Sequence, residues 1–396
     1  MKINTLPGVP LVESPFFNRH FNESVNSDIL DIATKLNKDG YVIIPFPDKQ
    51  FSKKAERIKT DLKESYDWDA YRENPKISLR VQDAWKTNED VRSLAVNASI
   101  LKLLKRLYGR EPIPFQTLNF PVGTQQHFHS DAIHFSSIPE RFMCGVWIAL
   151  EDIDEESGPL EFYPGTHTWP IYTNEHIGRN HSPKEKASQV VFHQAWQALV
   201  TENKLEPQRF LAKKGDALIW SANLLHGGSP QLNFDKTRWS QVTHYYFKDC
   251  VYYTPMNSEP FRGIIDFREI TDICTNTKVP NKCNSIEVDK SFIKHTKTGY
   301  NVKIIPSYDF DYEYYLKENS DVKESGTDPY EHYCVHGVFE NRKARALSIT
   351  KRIITEDLFD KKAYLEANLD VKSSGVDAYY HYIQHGLEEN RPLKIN

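Results

Sequence analysis

The stretch QQHFHSDAIHF, Gln125–Phe135, sets His127, His129 and Asp131 at every second position. Residues two apart on an extended chain share a face, so the spacing predicts three potential metal ligands projecting together into a barrel mouth. Two metal chemistries compete for this pattern. A binuclear zinc hydrolase wants HxHxDH, and HFHSDA meets that until position 132, where Ala132 stands in place of the last histidine. Non-haem Fe(II) wants HxD with a distant histidine, a facial triad that leaves coordination positions open.

The iron pattern makes a demand further along the chain: a distal histidine on a nearby strand, then a cation for an acidic cosubstrate. KKGDALIWSANLLHGGSPQLNFDKTRWS supplies His226 after a strand-like run and Arg238 twelve residues later. Arg238 and Ser240 form an RxS pair on one strand face, a planar fork and a hydroxyl suited to gripping the distal carboxylate of 2-oxoglutarate. The zinc pattern accounts for neither.

Around these motifs the texture is that of a β-rich core. FQTLNF, QHFHSD, FMCGVWIAL, LEFYPG, DALIWSA and RWSQVTHYYF read as short strands bounded by turn residues, as in a sandwich or barrel. Upstream, DILDIATKLNKDGYVIIPF reads as a helix running into a strand. NEDVRSLAVNASILKLLKRLYG reads as one amphipathic helix ending at Gly109.

Residues 30–250 resemble the phytanoyl-CoA dioxygenase family of Fe(II)/2-oxoglutarate oxygenases. The matching pieces are DGYVIIPF, GTQQHFHSD, GVWIALEDIDEESGPLEFYPGTH and GDALIWSANLLHGGS, in family order. The resemblance implies an α+β fold built on a double-stranded β-helix, a jelly-roll or cupin-like barrel with flanking helices. It implies His129, Asp131 and His226 as Fe(II) ligands, Arg238 as the 2-oxoglutarate anchor, and Trp147 and Ser240 as lining of the cosubstrate pocket. Gln116 and Asn119, on the preceding strand, would reach cosubstrate or substrate, and His127 is left beside the ligands or in the pocket. O2 would be the third reactant, with succinate and CO2 as products. Halogenating relatives leave the position of Asp131 to glycine or alanine, so a carboxylate here favours hydroxylation or desaturation.

Bulk properties narrow the partners. A formal charge of −4 with a pI near 6.4 offers no basic stripe for nucleic acid. No segment reaches 18 consecutive apolar residues and the N-terminus lacks a signal-like pattern, which points to a cytoplasmic chain with no membrane span. Five cysteines without CxxC spacing suit reduced thiols. Between His167 and Gly215 a long insertion carries His176, Arg179, His181, Lys184 and Lys186, which could meet an anionic substrate or simply be solvated.

The chain exceeds the size of a single core, so two domains are expected, 1–300 holding the dioxygenase unit and 301–396 a small all-α unit. The second repeats itself: FDYEYYLKENSDVKESGTDPYEHYCVHGVFENR from Phe310 aligns without a gap with FDKKAYLEANLDVKSSGVDAYYHYIQHGLEENR from Phe359. Two helical hairpins, about 310–342 and 359–391, are expected, with Gly326 and Gly375 as C-caps and Asp328 and Asp377 as N-caps. His332/His336 and His381/His385 lack the glutamate of a zinc helix and read as packed core histidines. The repeats resemble those beside bacterial surface-polysaccharide proteins. That context suggests a small-molecule substrate such as a sugar or polysaccharide precursor, and a protein partner for the repeats. Two alternatives stand beside the oxygenase: a zinc hydrolase using His127, His129 and Asp131, and an inert barrel that only carries the repeats.

Overall fold

The computed structural model describes residues 5–22, 25–179, 189–289, 292–293, 310–337, 340, 342–345, 359–386, 389 and 391–394. The chain divides into two compact units, Met1–Asn301 and Val302–Asn396. His181, Lys184 and Lys186 lie outside the described residues, as does the stretch around residue 300.

The first unit mixes helix and sheet. Its strands up to residue 253 are β1 (Tyr41–Pro45), β2 (Val81–Gln82), β3 (Pro112–Phe120), β4 (Ser136–Ile138), β5 (Met143–Ala149), β6 (Leu160–Phe162), β7 (Gln208–Phe210), β8 (Asp216–Ser221), β9 (His226–Gly228), β10 (Ser240–Phe247) and β11 (Val251–Tyr253), and two short hairpins follow between Ile270 and Glu287. Six form one antiparallel sheet in the order β1-β8-β5-β10-β3-β2, and three form a smaller one in the order β7-β6-β9. Every residue of the central strands β5 and β10 is buried, which explains why β5 is continuously apolar rather than alternating, whereas β10 buries Ser240, Gln241, Thr243 and His244 among its apolar residues. Parity then sorts their side chains. Val146 and Ile148 of β5 and Ile219 of β8 join the core under the helices, with Ile58, Leu104 and Leu107. Trp147 and Ala149, with Leu218 and Trp220, join a second core whose opposite wall is Leu160, Phe162 and Phe210 of the small sheet. Each such fully buried aromatic or aliphatic side chain contributes about 1.5–3 kcal/mol of transfer free energy.

Local signals set the helix ends. Asn26 caps the helix Ser27–Asp39 by accepting from Asp28 N and Ile29 N, and Gly40, at φ 82°, ends it and turns the chain into β1. The single helix expected through residue 109 is two, Glu89–Ala95 and Ala98–Tyr108. The break falls at Asn97, whose side chain accepts from Ser99 N and Ile100 N and so starts a new helix within a continuous apolar pattern. The segment QHFHSD is not a strand. It runs extended with one bridge, His129 to His226, and then enters the 3-10 turn Asp131–Ile133.

The second unit is helical. In each repeat the first arm is broken, Tyr312–Glu318 from Ser320–Ser325 and Lys361–Ala367 from Leu369–Ser374. At the breaks the Asn319 and Asn368 amides donate to the Tyr315 and Tyr364 carbonyls, 2.7 and 2.8 Å, competing with the helix ladder. The expected caps form at Asp328, Asp377, Gly326 and Gly375. His332 and His381 meet the Tyr315 and Tyr364 hydroxyls at 3.0 and 3.1 Å. Their partners four residues on, His336 and His385, are exposed rather than packed in a core. No helix of the described residues is long and apolar enough to cross a membrane, and all five cysteines are free.

Candidate metal centre

Antiparallel pairing creates the centre. His129 N donates to His226 O at 2.9 Å and His226 N to His129 O at 3.0 Å, so two histidines nearly a hundred residues apart face each other across one narrow pair. Gly227 permits it: a Cβ there would lie 2.6 Å from Gln126 O and 2.9 Å from Phe128 Cα, so no side chain fits where the two segments cross. The turn after Ser130 swings Asp131 back toward both rings. Ser130 Oγ accepts from Ala132 N, and Ala132 N donates to Ala222 O.

Ligand atoms of His129, Asp131 and His226 all lie within 4.8 Å of one another. His129 Nε2 is 3.5 Å from Asp131 Oδ1, and His226 Nε2 is 3.7 Å from Oδ2. The imidazoles are oriented from behind. His129 Nδ1 meets His127 O at 3.1 Å and His226 Nδ1 meets Leu224 O at 3.0 Å, which places the proton on Nδ1 and leaves each Nε2 lone pair facing the carboxylate. Burial acts to raise the Asp131 pKa, but the surrounding imidazoles of His226, His129 and His244 outweigh it and hold the carboxyl well below the usual range. Burial lowers His226, keeping it neutral. Trp220 Nε1 donates to Asp131 Oδ2 at 3.0 Å. Gly145 on the neighbouring strand makes room for that indole, since a Cβ there would fall 2.0 Å from Trp220 Cζ2.

These groups open into a cavity of about 660 Å³. On its wall stands Arg238, 1% exposed, with Nε and Nη1 lacking any partner and Nη2 reaching only Val122 O at 3.5 Å. Burial pulls this guanidinium down to about 10, still charged at neutral pH. A buried charge with open donors is costly unless something completes it. The Trp147 indole N–H, on the same cavity wall, and the buried Ser240 hydroxyl are likewise unpartnered. A triad of two imidazoles and one carboxylate fits ferrous iron, and the orphaned fork fits the far carboxylate of a diacid.

Other expectations change. His127 is exposed and stacks on His193, 4.4 Å between ring centroids. The chain turns at the ligand segment instead of continuing as a strand, so His127 takes no part in the cluster and the three-in-a-row zinc set does not assemble. Gln116 does line the cavity, but Asn119, three residues on, has the opposite parity. Asn119 is buried on the helix side, where it donates to Gln241 Oε1 at 3.4 Å. His176 closes a local turn by accepting from Thr173 N.

Sequence reasoning missed three cavity residues: His134, His244 and Arg268. His244 Nε2 is 3.7 Å from Asp131 Oδ2, and its Nδ1 meets Gln116 Oε1 at 3.0 Å. The signal was present, because His244 continues the parity of Arg238 and Ser240 along the strand that follows. Arg268 had no local signal.

Such a fold and site define a non-haem metal protein with a buried guanidinium in the same cavity as its ligands. The phytanoyl-CoA dioxygenase (PhyH) family model matches residues 20–238, more than half of the chain. The chain belongs to the phytanoyl-CoA dioxygenase family, for which iron is the metal and 2-oxoglutarate the cosubstrate. It is similar to the peroxisomal phytanoyl-CoA dioxygenase of Rattus norvegicus, 24% identical over 190 residues, 46% of this chain and 53% of that protein. The chain thus spans about half the length of that relative. Among solved structures it is similar to the non-heme alpha ketoglutarate dependent epimerase SnoN from nogalamycin biosynthesis, 18% identical, covering 60% of this chain and 89% of that one, TM-score 0.44. EctD from S. alaskensis with 2-oxoglutarate and 5-hydroxyectoine is 16% identical, covering 62% and 84%, TM-score 0.45.

Proposed function

We propose that this protein is an Fe(II)- and 2-oxoglutarate-dependent oxygenase that hydroxylates a polar small molecule, releasing succinate and CO2, and that its two sheets form a double-stranded β-helix. One observation carries the reading: a buried guanidinium with two unpartnered nitrogens shares a cavity with a two-histidine, one-carboxylate cluster. A hydrolytic zinc site has no use for that cation, and an inert scaffold would not retain it uncompensated.

The iron, when bound, supplies the activation of O2 at the expense of 2-oxoglutarate. The chain supplies placement. His129, Asp131 and His226 hold the metal on one side, their rings fixed by the His127 and Leu224 carbonyls. Arg238 grips the distal carboxylate, with the Trp147 N–H and Ser240 Oγ beside it, so that the keto acid enters in one orientation. The apolar wall of Phe120, Leu160, Phe162, Leu218 and Val242 keeps water from that end. Asp131 occupies the position a halide would need, which supports hydroxylation or desaturation. The amides of Gln82, Gln116, Gln126, Gln189 and Asn257 on the cavity wall suit a hydroxyl-rich molecule such as a sugar or polysaccharide precursor. The C-terminal repeats would then serve as a partner surface.

Anaerobic addition of Fe(II) and 2-oxoglutarate to the purified protein should produce a weak visible charge-transfer band. Succinate formation should require O2 and vanish in His129→Ala and Asp131→Ala. Oxygen-independent turnover with bound zinc would establish the hydrolase instead.

A further inference from the structure

The geometry points to an anionic substrate, bearing a carboxylate or phosphate group that Arg268 receives in the cavity it shares with Arg238. This rests on the oxygenase reading and adds the substrate's charge and its receptor.

Arg268 lines the same cavity as the triad, yet it lies thirty residues beyond the end of the family match at position 238. Thr254, Met256, Asn257 and Asp266 of the same later segment line it as well, so one wall of the cavity is built from sequence the family pattern does not describe. The backbone holds Arg268 firmly. Its N donates to Tyr252 O at 2.8 Å, and its carbonyl accepts from Asn281 Nδ2 at 3.1 Å. Its side chain lies over the Phe135 ring at 4.6 Å. The charged head, by contrast, is poorly satisfied: Nε is buried without a partner, and Nη1 makes only two long bonds, 3.4 Å to His134 O and 3.3 Å to Thr254 Oγ1.

Charge balance sets the sign of what belongs there. In the reading above, the two charges of ferrous iron and the one on Arg238 are met by Asp131 and the two carboxylates of 2-oxoglutarate, so that set is neutral. The remaining charged groups on the wall are Arg80, which is exposed, Arg268 and Asp266. Asp266 already accepts from Asn257 Nδ2 at 2.9 Å. Asp266 offsets only one of the two arginines and makes no ion pair with Arg268 among the described residues, so the Arg268 head stays open, and an open guanidinium receives an oxyanion through paired N–H donors. A neutral substrate would leave it uncompensated on the cavity wall.

The test is calorimetric titration of the full chain, loaded with redox-silent Zn(II) and saturating 2-oxoglutarate. Glucose 6-phosphate and glucuronate serve as probes, with glucose as the uncharged control. At least one anion should bind more than about tenfold tighter than glucose, the two arms deciding between phosphate and carboxylate. Arg268→Gln should abolish that preference and Arg268→Lys should restore part of it, while 2-oxoglutarate binds both variants as it binds the native chain. Equal binding of glucose and the anions, no binding of either anion, or a preference that survives in Arg268→Gln would each overturn the proposal. Failure of the native protein to bind 2-oxoglutarate would instead overturn the oxygenase reading.

Discussion

Replacing Arg238 by methionine should separate function from stability. The guanidinium is 1% exposed, has two unpartnered nitrogens, and makes one marginal bond to Val122 O at 3.5 Å. In the ligand-free protein it is therefore a buried charge that folding has to desolvate with little in return. Removing such a charge in favour of an apolar group of similar volume is neutral or stabilising by about 1–4 kcal/mol. Arg238→Met should then melt at the same temperature as the native protein or a few degrees higher. Binding of 2-oxoglutarate should respond in the opposite direction. Two charge-assisted hydrogen bonds to the distal carboxylate are worth about 1.5–3 kcal/mol each, so their loss should weaken the cosubstrate by a factor of about a hundred to about ten thousand. Thermal melts with and without 2-oxoglutarate, alongside calorimetric titration, read both quantities. The native protein should be stabilised by the cosubstrate and the variant should not. A variant that melts many degrees lower yet binds 2-oxoglutarate unchanged would refute the reasoning, because Arg238 would then be a structural cation.

Gly145→Ala places a Cβ 2.0 Å from Trp220 Cζ2, so the indole must leave Asp131; Mn(II) affinity measured by titration should fall about tenfold or more, and an unchanged value would show that the indole does not orient the carboxylate. Burial holds His244 at about 4, so below the unfolded value of about 6.5 the unfolded chain takes up a proton that the folded chain refuses. Its contribution is intact above pH 6.5 and is lost as pH falls toward 4, by about 1.4 kcal/mol per pH unit; denaturant titrations of the metal-free protein between pH 7 and 5 should show this slope, shallower in His244→Gln. Asn97→Ala removes the acceptor for Ser99 N and Ile100 N; urea denaturation should show a loss of about 1 kcal/mol with metal affinity unchanged.

Much of the centre is legible because its signals are local. HxD, the later histidine followed by glycines, and the RxS pair each declare a ligand type and a face within a few residues. The caps at Asn26, Gly40 and Gly109 are equally local, each satisfying backbone groups of its own turn. Legibility fails where a local pattern is ambiguous. A continuous apolar face conceals the helix break at Asn97, because burial periodicity outlasts the cap that interrupts it. Alternation carried His127 inward on the premise of a strand, and no strand forms at that segment.

The amino-acid order by itself determined which residues can ligate a metal and grip a diacid, and in what succession they appear. Only the tertiary structure decided which of them share a space. Gln116 meets His244 across 128 positions through strand register, and that same parity sends Asn119 to the far side of the sheet. Arg268 enters the cavity because its backbone pairs with Tyr252. The physical reason is that side-chain type is carried by each residue alone, whereas adjacency depends on pairing between distant segments, and a shift of one residue reverses every face it sets.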